Sequence, residues 1–328
     1  MDRLVTPALG LLMLLVALAS LALGSATVNP LQGLLDWLRG DSSLAAMVIG
    51  DIRLPRTLLA LSVGAALGLS GAALQGLLRN PLADPSLTGA TQGAALGAAS
   101  VFYFGLLPGL GSAAPSVAGL IGAALALLLM LGLAGSARAH MVIMAGLAIS
   151  TLSGAALAAV LNFAPNPFAM QELVFWLLGS VSERGLQHLW LLLPGLLAGG
   201  ALVLSQRRLL AALSLGDETA RSMGLNYRRG SLLVVLGSAL LVGSAVAVAG
   251  GIGFVGLVIP HLLRPLLRHR PDRLLIPAAL AGATLVCLAD IGVRQLPPGR
   301  ELKLGVLTAL IGAPLFIWLV WKERRAWL

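Results

Sequence analysis

About ten runs of mostly apolar residues follow one another along this chain, each near the roughly 20 residues that an α-helix needs to cross a bilayer. We place them at Leu4 to Gly24, Pro55 to Leu78, Ser86 to Phe104, Pro115 to Ala134, Met141 to Phe163, Leu186 to Leu204, Leu232 to Ala249, Gly253 to Leu267, Leu274 to Val293 and Leu304 to Trp321. Backbone polar groups find no water in hydrocarbon, so such runs fold as helices. The expected fold class is therefore an all-α polytopic membrane protein, with residues 1–328 forming one transmembrane domain. The composition agrees, with 58% hydrophobic and 11% charged residues and 40 glycines, outside the range of soluble globular chains. The first run imitates a secretory signal, with Arg3 before it and small residues from Ala22 to Ala26, but it is long for a signal h-region and reads as a span.

Arginine and lysine in short loops are retained on the cytoplasmic side. With both termini cytoplasmic, the inner loops collect most of the basic residues, among them Arg79, Arg138, Arg207, Arg208, Arg221, Arg228, Arg229, Arg264 and Arg268. The outer loops keep Arg39, Arg53, Arg56, Arg184, Arg294, Arg300 and Lys303. Topology and lipid headgroups thus account for the formal charge of +9 without nucleic acid as a partner.

One charged island interrupts the oil. Leu213 to Gly230, LSLGDETARSMGLNYRRG, has Asp217 and Glu218 placed for the first turn of a short helix, Arg221 four residues after Asp217, and Gly224 as its left-handed end, with Leu225 able to pack back on Ala220. It reads as a docking surface or as an ordinary solvated loop.

The energy source is constrained by what the chain lacks. Ion-coupled carriers place ionisable groups at membrane depth, and here only His261 and Asp290 come near. Asp290 has Arg294 one turn later, which suggests a local ion pair, and His261 reads as structural. No Gly-rich turn ends in Lys-Ser or Lys-Thr, since the lysines are Lys303 and Lys322, so the chain holds no P-loop for ATP. A secondary transporter and an intramembrane enzyme are both disfavoured; energy for transport should come from another subunit. The lone Cys287, inside a span, excludes a disulfide framework and reads as packing.

Gly251, Gly253 and Gly256 spell G-x-G-x-x-G, but apolar spans flank them where a dinucleotide site needs a strand and a distal acid. A broken helix or a close backbone approach is expected instead. Gly64 and Gly68, and Gly89, Gly93 and Gly97, mark faces of close helix approach, within the chain in preference to a dimer seam.

The run RLPRTLLALSVGAALGLSGAALQGLLRNPLADPSLTGATQG from Arg53 to Gly93, with GDETARSMGLN, GIGFVGLVIPH and ELKLGVLTALIGAPLFIWL, resembles the membrane permeases of ABC importers for ferric siderophores, haem and cobalamin, the FecCD-type or type II class. The resemblance implies ten helices per subunit, a homodimer with its path on the dimer axis, two cytoplasmic ATPase subunits that bind ATP and Mg, and a periplasmic substrate-binding protein, all at a bacterial inner membrane. No cofactor is implied for this chain. It further implies that Leu215, Gly216, Asp217, Glu218, Thr219, Ala220, Arg221, Gly224, Leu225 and Asn226 form the coupling helices that seat in the ATPase, with Thr219 replacing the middle alanine of an E-A-A pattern.

By the same comparison Arg53, Arg56 and Arg294 meet acidic residues of the binding protein, unless they anchor to headgroups. Asn80 and Leu82 match a cytoplasmic gate, with a helix-ending turn as the alternative. Ala139 and His140 fall at the other inner gate and lack the small hydroxyl residues of cobalamin permeases. Phe168, Phe175 and Trp176 suit an outer gate or an interfacial aromatic belt.

Overall fold

The structure, a computed structural model, describes residues 2–24, 26–134, 139–163, 167–216, 220, 222–296 and 302–326, without the side chains of residues 2, 3, 87, 139, 140, 167, 319, 320 and 322–326. The helices are α1 Asp2–Ala22, α2 Pro30–Arg39, α3 Leu54–Leu78, α4 Ala90–Phe104, α5 Ala114–Ala134, α6 Ala139–Asn162, α7 Pro167–Leu177, α8 Leu186–Ser205, α9 Arg207–Leu213, α10 Tyr227–Ala249, α11 Val255–Leu263, α12 Pro271–Arg294 and α13 Leu304–Ala326. No strand occurs among the described residues.

Among these residues seven helices are long and apolar enough to cross a membrane. The other three expected spans correspond to α4 with 15 residues, α11 with 9, and the apolar stretch Leu304–Trp318 of α13. Turns at their N-terminal ends shorten α4 and α11. Asp84 caps a 3-10 turn at Pro85–Thr88, and Gly89, in the left-handed region at φ 76, then starts α4. The run expected from Gly253 to Leu267 begins only at Val255, after Gly250 at φ 71 and Phe254 at φ 67, which place the break between α10 and α11.

α3 and α10 form the buried centre, whereas α1 and α5 leave Leu11, Leu14, Leu15, Leu125, Leu128 and Leu129 on the outer surface. Leucines arrayed in this way suit hydrocarbon as their surroundings. Small residues set the close approach at the centre. A Cβ on Gly64 would stand 2.2 Å from the Gly282 carbonyl oxygen of α12, one on Gly68 2.1 Å from that of Ala278, and one on Gly71 1.9 Å from that of Gly256. Gly93 and Gly97 of α4 face Gly122 and Ala118 of α5 in the same way. These glycine faces are occupied within the chain.

Helix α2 was not foreseen between the first two spans. Asn29 accepts from the backbone N–H groups of Leu31 and Gln32, Pro30 takes the first turn, and Gly40 closes the helix at φ 80. Its Gly33 rests on the Ala45 carbonyl and Ile49, and Trp37 covers Gly50. A π-helical stretch, Met47–Arg53, then leads into α3.

Candidate functional site

At one end of the bundle the last turn of α3, the α9–α10 link and the α11–α12 link converge around a common cavity. α3 ends where Arg79 adopts a left-handed conformation. The Asn80 side chain then accepts from the Leu82 N–H at 2.9 Å, and the Asn80 carbonyl from the Ala83 N–H at 3.2 Å. That Asx turn is the helix-ending role open to Asn80, and it leaves the Leu82 side chain exposed. Ala139 and His140 begin α6, with side chains outside the described residues.

The island starts as α9 ends on buried Leu213. Gly216 is left-handed at φ 111, and its carbonyl accepts from the Ala220 N–H at 3.1 Å, one helical turn on. Ala220 is fully buried and Leu225 packs against the same apolar cluster, while Leu215 and Met223 are exposed. Gly224 takes φ 71, as the expected helix end requires. The Asn226 side chain accepts from the Arg229 N–H at 3.0 Å and so caps α10. Asp217, Glu218, Thr219 and Arg221 lie outside the described residues.

Gln75, which sequence reading passed over, ties these elements together. Only 1% exposed on α3, it donates through Nε2 to the carbonyls of Gly256 and Leu257, at 3.3 and 3.0 Å, and accepts from Arg264 Nη2 at 2.9 Å. A lone amide inside a 25-residue apolar helix was the available signal.

At the other end lies the arginine cluster. Asp290, 1% exposed, accepts from Arg56 Nε at 2.9 Å and Nη2 at 2.8 Å, and from Arg294 Nε at 2.8 Å. The ion pair expected between Asp290 and Arg294 is present. Arg294 also donates to the Ser20 carbonyl and hydroxyl, and the Ser20 hydroxyl bonds that of Thr57 at 2.7 Å. Arg53 caps the end of α1 by donating to the carbonyls of Leu21, Ala22 and Ala26.

The three arginines expected to meet the binding protein differ in how far they are open. Arg53 is 4% exposed and the Arg294 side chain 7%, because their N–H groups satisfy this chain's own acceptors. The Arg56 side chain, at 19%, remains partly open.

The three aromatic residues separate. Phe168 is exposed on α7, and Phe175 lies half-open with the Lys303 ammonium 5.2 Å from its ring centre. Trp176 is buried where α7 crosses the α10–α11 break, and a Cβ on Gly250 would stand 2.0 Å from its carbonyl oxygen. There Gly305 also crosses tightly, since its Cβ would meet the carbonyls of Gly251 and Leu178 at 2.2 and 2.3 Å. The G-x-G-x-x-G run therefore serves a broken helix and crossing backbones.

The model of the FecCD transport family matches residues 11–322. The chain belongs to the FecCD transport family. It is 41% identical to the hemin transport system permease protein HmuU of Yersinia pestis, over 99% of both chains. It is 40% identical to the vitamin B12 import system permease protein BtuC of Salmonella typhi, over 97% of this chain and 94% of that one. A solved structure described as an inward-facing conformation of a metal-chelate type ABC transporter superposes with a TM-score of 0.80 at 34% identity, over 98% and 99% of the two chains. The chain thus shares its fold with the permeases of type II ABC importers, and the sequence runs that carried the resemblance lie entirely within the matched residues.

Proposed function

We propose that this chain is the permease of an ATP-driven importer that carries haem or a ferric siderophore from the periplasm across a bacterial inner membrane. It works as a homodimer with both termini in the cytoplasm, below a substrate-binding protein and above two ATPase subunits that bind ATP and Mg. The observation that carries this reading is the 41% identity to a hemin permease over 99% of both chains. A cobalamin cargo is the second reading, favoured by the 40% identity to BtuC.

In this reading 213–230 is the coupling segment within the one permease domain. Exposed Leu215 and Met223, on either side of buried Ala220, offer the ATPase apolar contacts on a turn fixed by Gly216 and Gly224. Motion passes to Leu82 and to the start of α6 at Ala139 and His140, which gate the inner end of the path. Phe168 and Phe175 bound its outer end. Arg56 offers the binding protein a partly open guanidinium, held in place by Asp290, while Arg53 and Arg294 position the helices behind it.

The test is reconstitution of the permease with its ATPase in liposomes, with binding protein loaded with haem, a ferric siderophore or cobalamin. Hydrolysis and uptake stimulated by haem or siderophore are expected. Stimulation by cobalamin alone selects the second reading, and uptake on an ion gradient without the ATPase overturns both.

A further inference from the structure

Helix α2 carries three stripes, each built on the i, i+4 spacing that shares one helix face. Gly33 and Trp37 pack on the chain itself, against Ala45, Ile49 and Gly50. Gln32, Asp36 and Arg39 form a polar stripe, in which Asp36 accepts from the Ser43 hydroxyl at 2.7 Å while Gln32 and Arg39 are exposed. Leu31, Leu35 and Leu38 form the third, and all three are exposed. A helix standing in water turns such a stripe onto its own core, but here Gly33 and Trp37 already take the core face.

Arg53 sets the level at which α2 sits. Its hydrogen bonds to the Leu21, Ala22 and Ala26 carbonyls place it beside the end of α1. The apolar stretch of α1, Leu4–Ala22, has 19 residues, about 28 Å of helix against a hydrocarbon core of about 30 Å, so that end reaches the hydrocarbon boundary. Ala45, Ile49 and Gly50, on which α2 rests, precede Arg53 in the helical run that continues into α3, which puts them about 5–10 Å further out, within the headgroup layer. The exposed leucines of α1 continue toward this level at Leu18 and at Leu23, just before the link to Pro30.

We propose that α2 is an interfacial helix whose partner is the phospholipid surface at the end of α1: Leu31, Leu35 and Leu38 enter the acyl boundary, and Gln32 and Arg39 face headgroups and water. The outward leucines of α1 make the apolar stripe a continuation of the lipid-facing surface. The polar stripe beside it supplies the wet side that a helix resting on a membrane requires, and the Arg39 guanidinium suits a headgroup phosphate. Placement beside the end of α1 carries the argument, so it holds for whichever leaflet that end reaches.

The experiment places a nitroxide on the full-length permease in phosphatidylglycerol–phosphatidylcholine nanodiscs, at Leu35→Cys or Leu38→Cys, with Gln32→Cys and Leu14→Cys as the references for water and hydrocarbon. Cys287 is buried and stays in place. Collisions with oxygen are expected to exceed those with a water-soluble nickel chelate at positions 35 and 38, as at 14, and the order is expected to reverse at 32. A second measurement needs no bulky label: a membrane-impermeant maleimide is expected to react about tenfold more slowly with Leu35→Cys than with Gln32→Cys, because the thiol sits below the headgroups. Nickel-dominated collisions at 35 and 38 would leave α2 in water, and loss of that signal on adding the binding protein would give the face to that protein. Either result overturns the proposal, as do low collision rates with both reagents, which would mean that protein covers the stripe, or equal maleimide rates.

Discussion

Arg56 and Asp290 stand 234 residues apart in the chain and meet through hydrogen bonds of 2.8 to 3.1 Å, which lock the start of α3 to the end of α12. Asp290 serves Arg294 as well, so one buried carboxylate neutralises two guanidinium groups. Removing the carboxylate leaves like charges facing each other with little water between them. Asp290→Ala is expected to cost about 3–5 kcal/mol of stability. Unfolding of the purified permease in a denaturing detergent titration measures it, and a loss under about 1 kcal/mol would show the cluster to be well solvated.

Gly71 meets the Gly256 backbone where nothing can give way, since its added Cβ would lie 1.9 Å from a carbonyl oxygen, whereas Gly132 on α5 has nothing within 4 Å. Gly71→Ala is expected to destabilise by about 1–3 kcal/mol through overpacking. Gly132→Ala should be neutral or stabilise by up to about 1 kcal/mol, because alanine favours the helix. The same unfolding assay separates the two signs; equal effects would mean that α3 and α11 sit farther apart.

Gly224 is left-handed at φ 71 with open space around it, so a substitution there strains the backbone without a clash. Gly224→Ala is expected to cost about 1 kcal/mol locally while the spans stay folded. If 213–230 is the coupling segment, the ratio of uptake to ATP hydrolysis falls in proteoliposomes. An unchanged ratio would remove the segment from the coupling path.

Arg56 and Arg53 should behave differently toward the binding protein. Exposed ion pairs contribute about 0.2–1 kcal/mol, so Arg56→Ala is expected to weaken docking by no more than about fivefold, and less at high salt. Arg53→Ala removes donors from three carbonyls at the end of α1 and is expected to lower stability while docking stays within about twofold. Surface plasmon resonance on the reconstituted permease reads both; a larger docking loss for Arg53 reverses the assignment.

Much of this architecture was legible because its causes are local. Apolar runs gave the spans, Asp290 and Arg294 are four residues apart on one helix, and Gly224 takes the left-handed conformation to which glycine is suited. Helix α2 escaped notice because its apolar positions are short and spaced, and its signals, Asn29-Pro30 and Gly40, lie in a stretch too polar to span. The candidate coupling segment stood out by its charge. Gln75 did not, because a single amide among leucines shows its importance only through partners 181 to 189 residues away.

By itself the sequence determined that the protein lives in a membrane as helices, has no P-loop of its own, and presents one polar island where the oil is interrupted. Hydrophobic length and the types of residue present decide those matters without reference to any distant contact. Which arginines remain open to a partner was decided only in three dimensions. Arg53, Arg56 and Arg294 look alike in the sequence, and their exposure depends on whether the carbonyls at the end of α1 and the carboxylate of Asp290 come within hydrogen-bond reach, which helix packing alone can arrange.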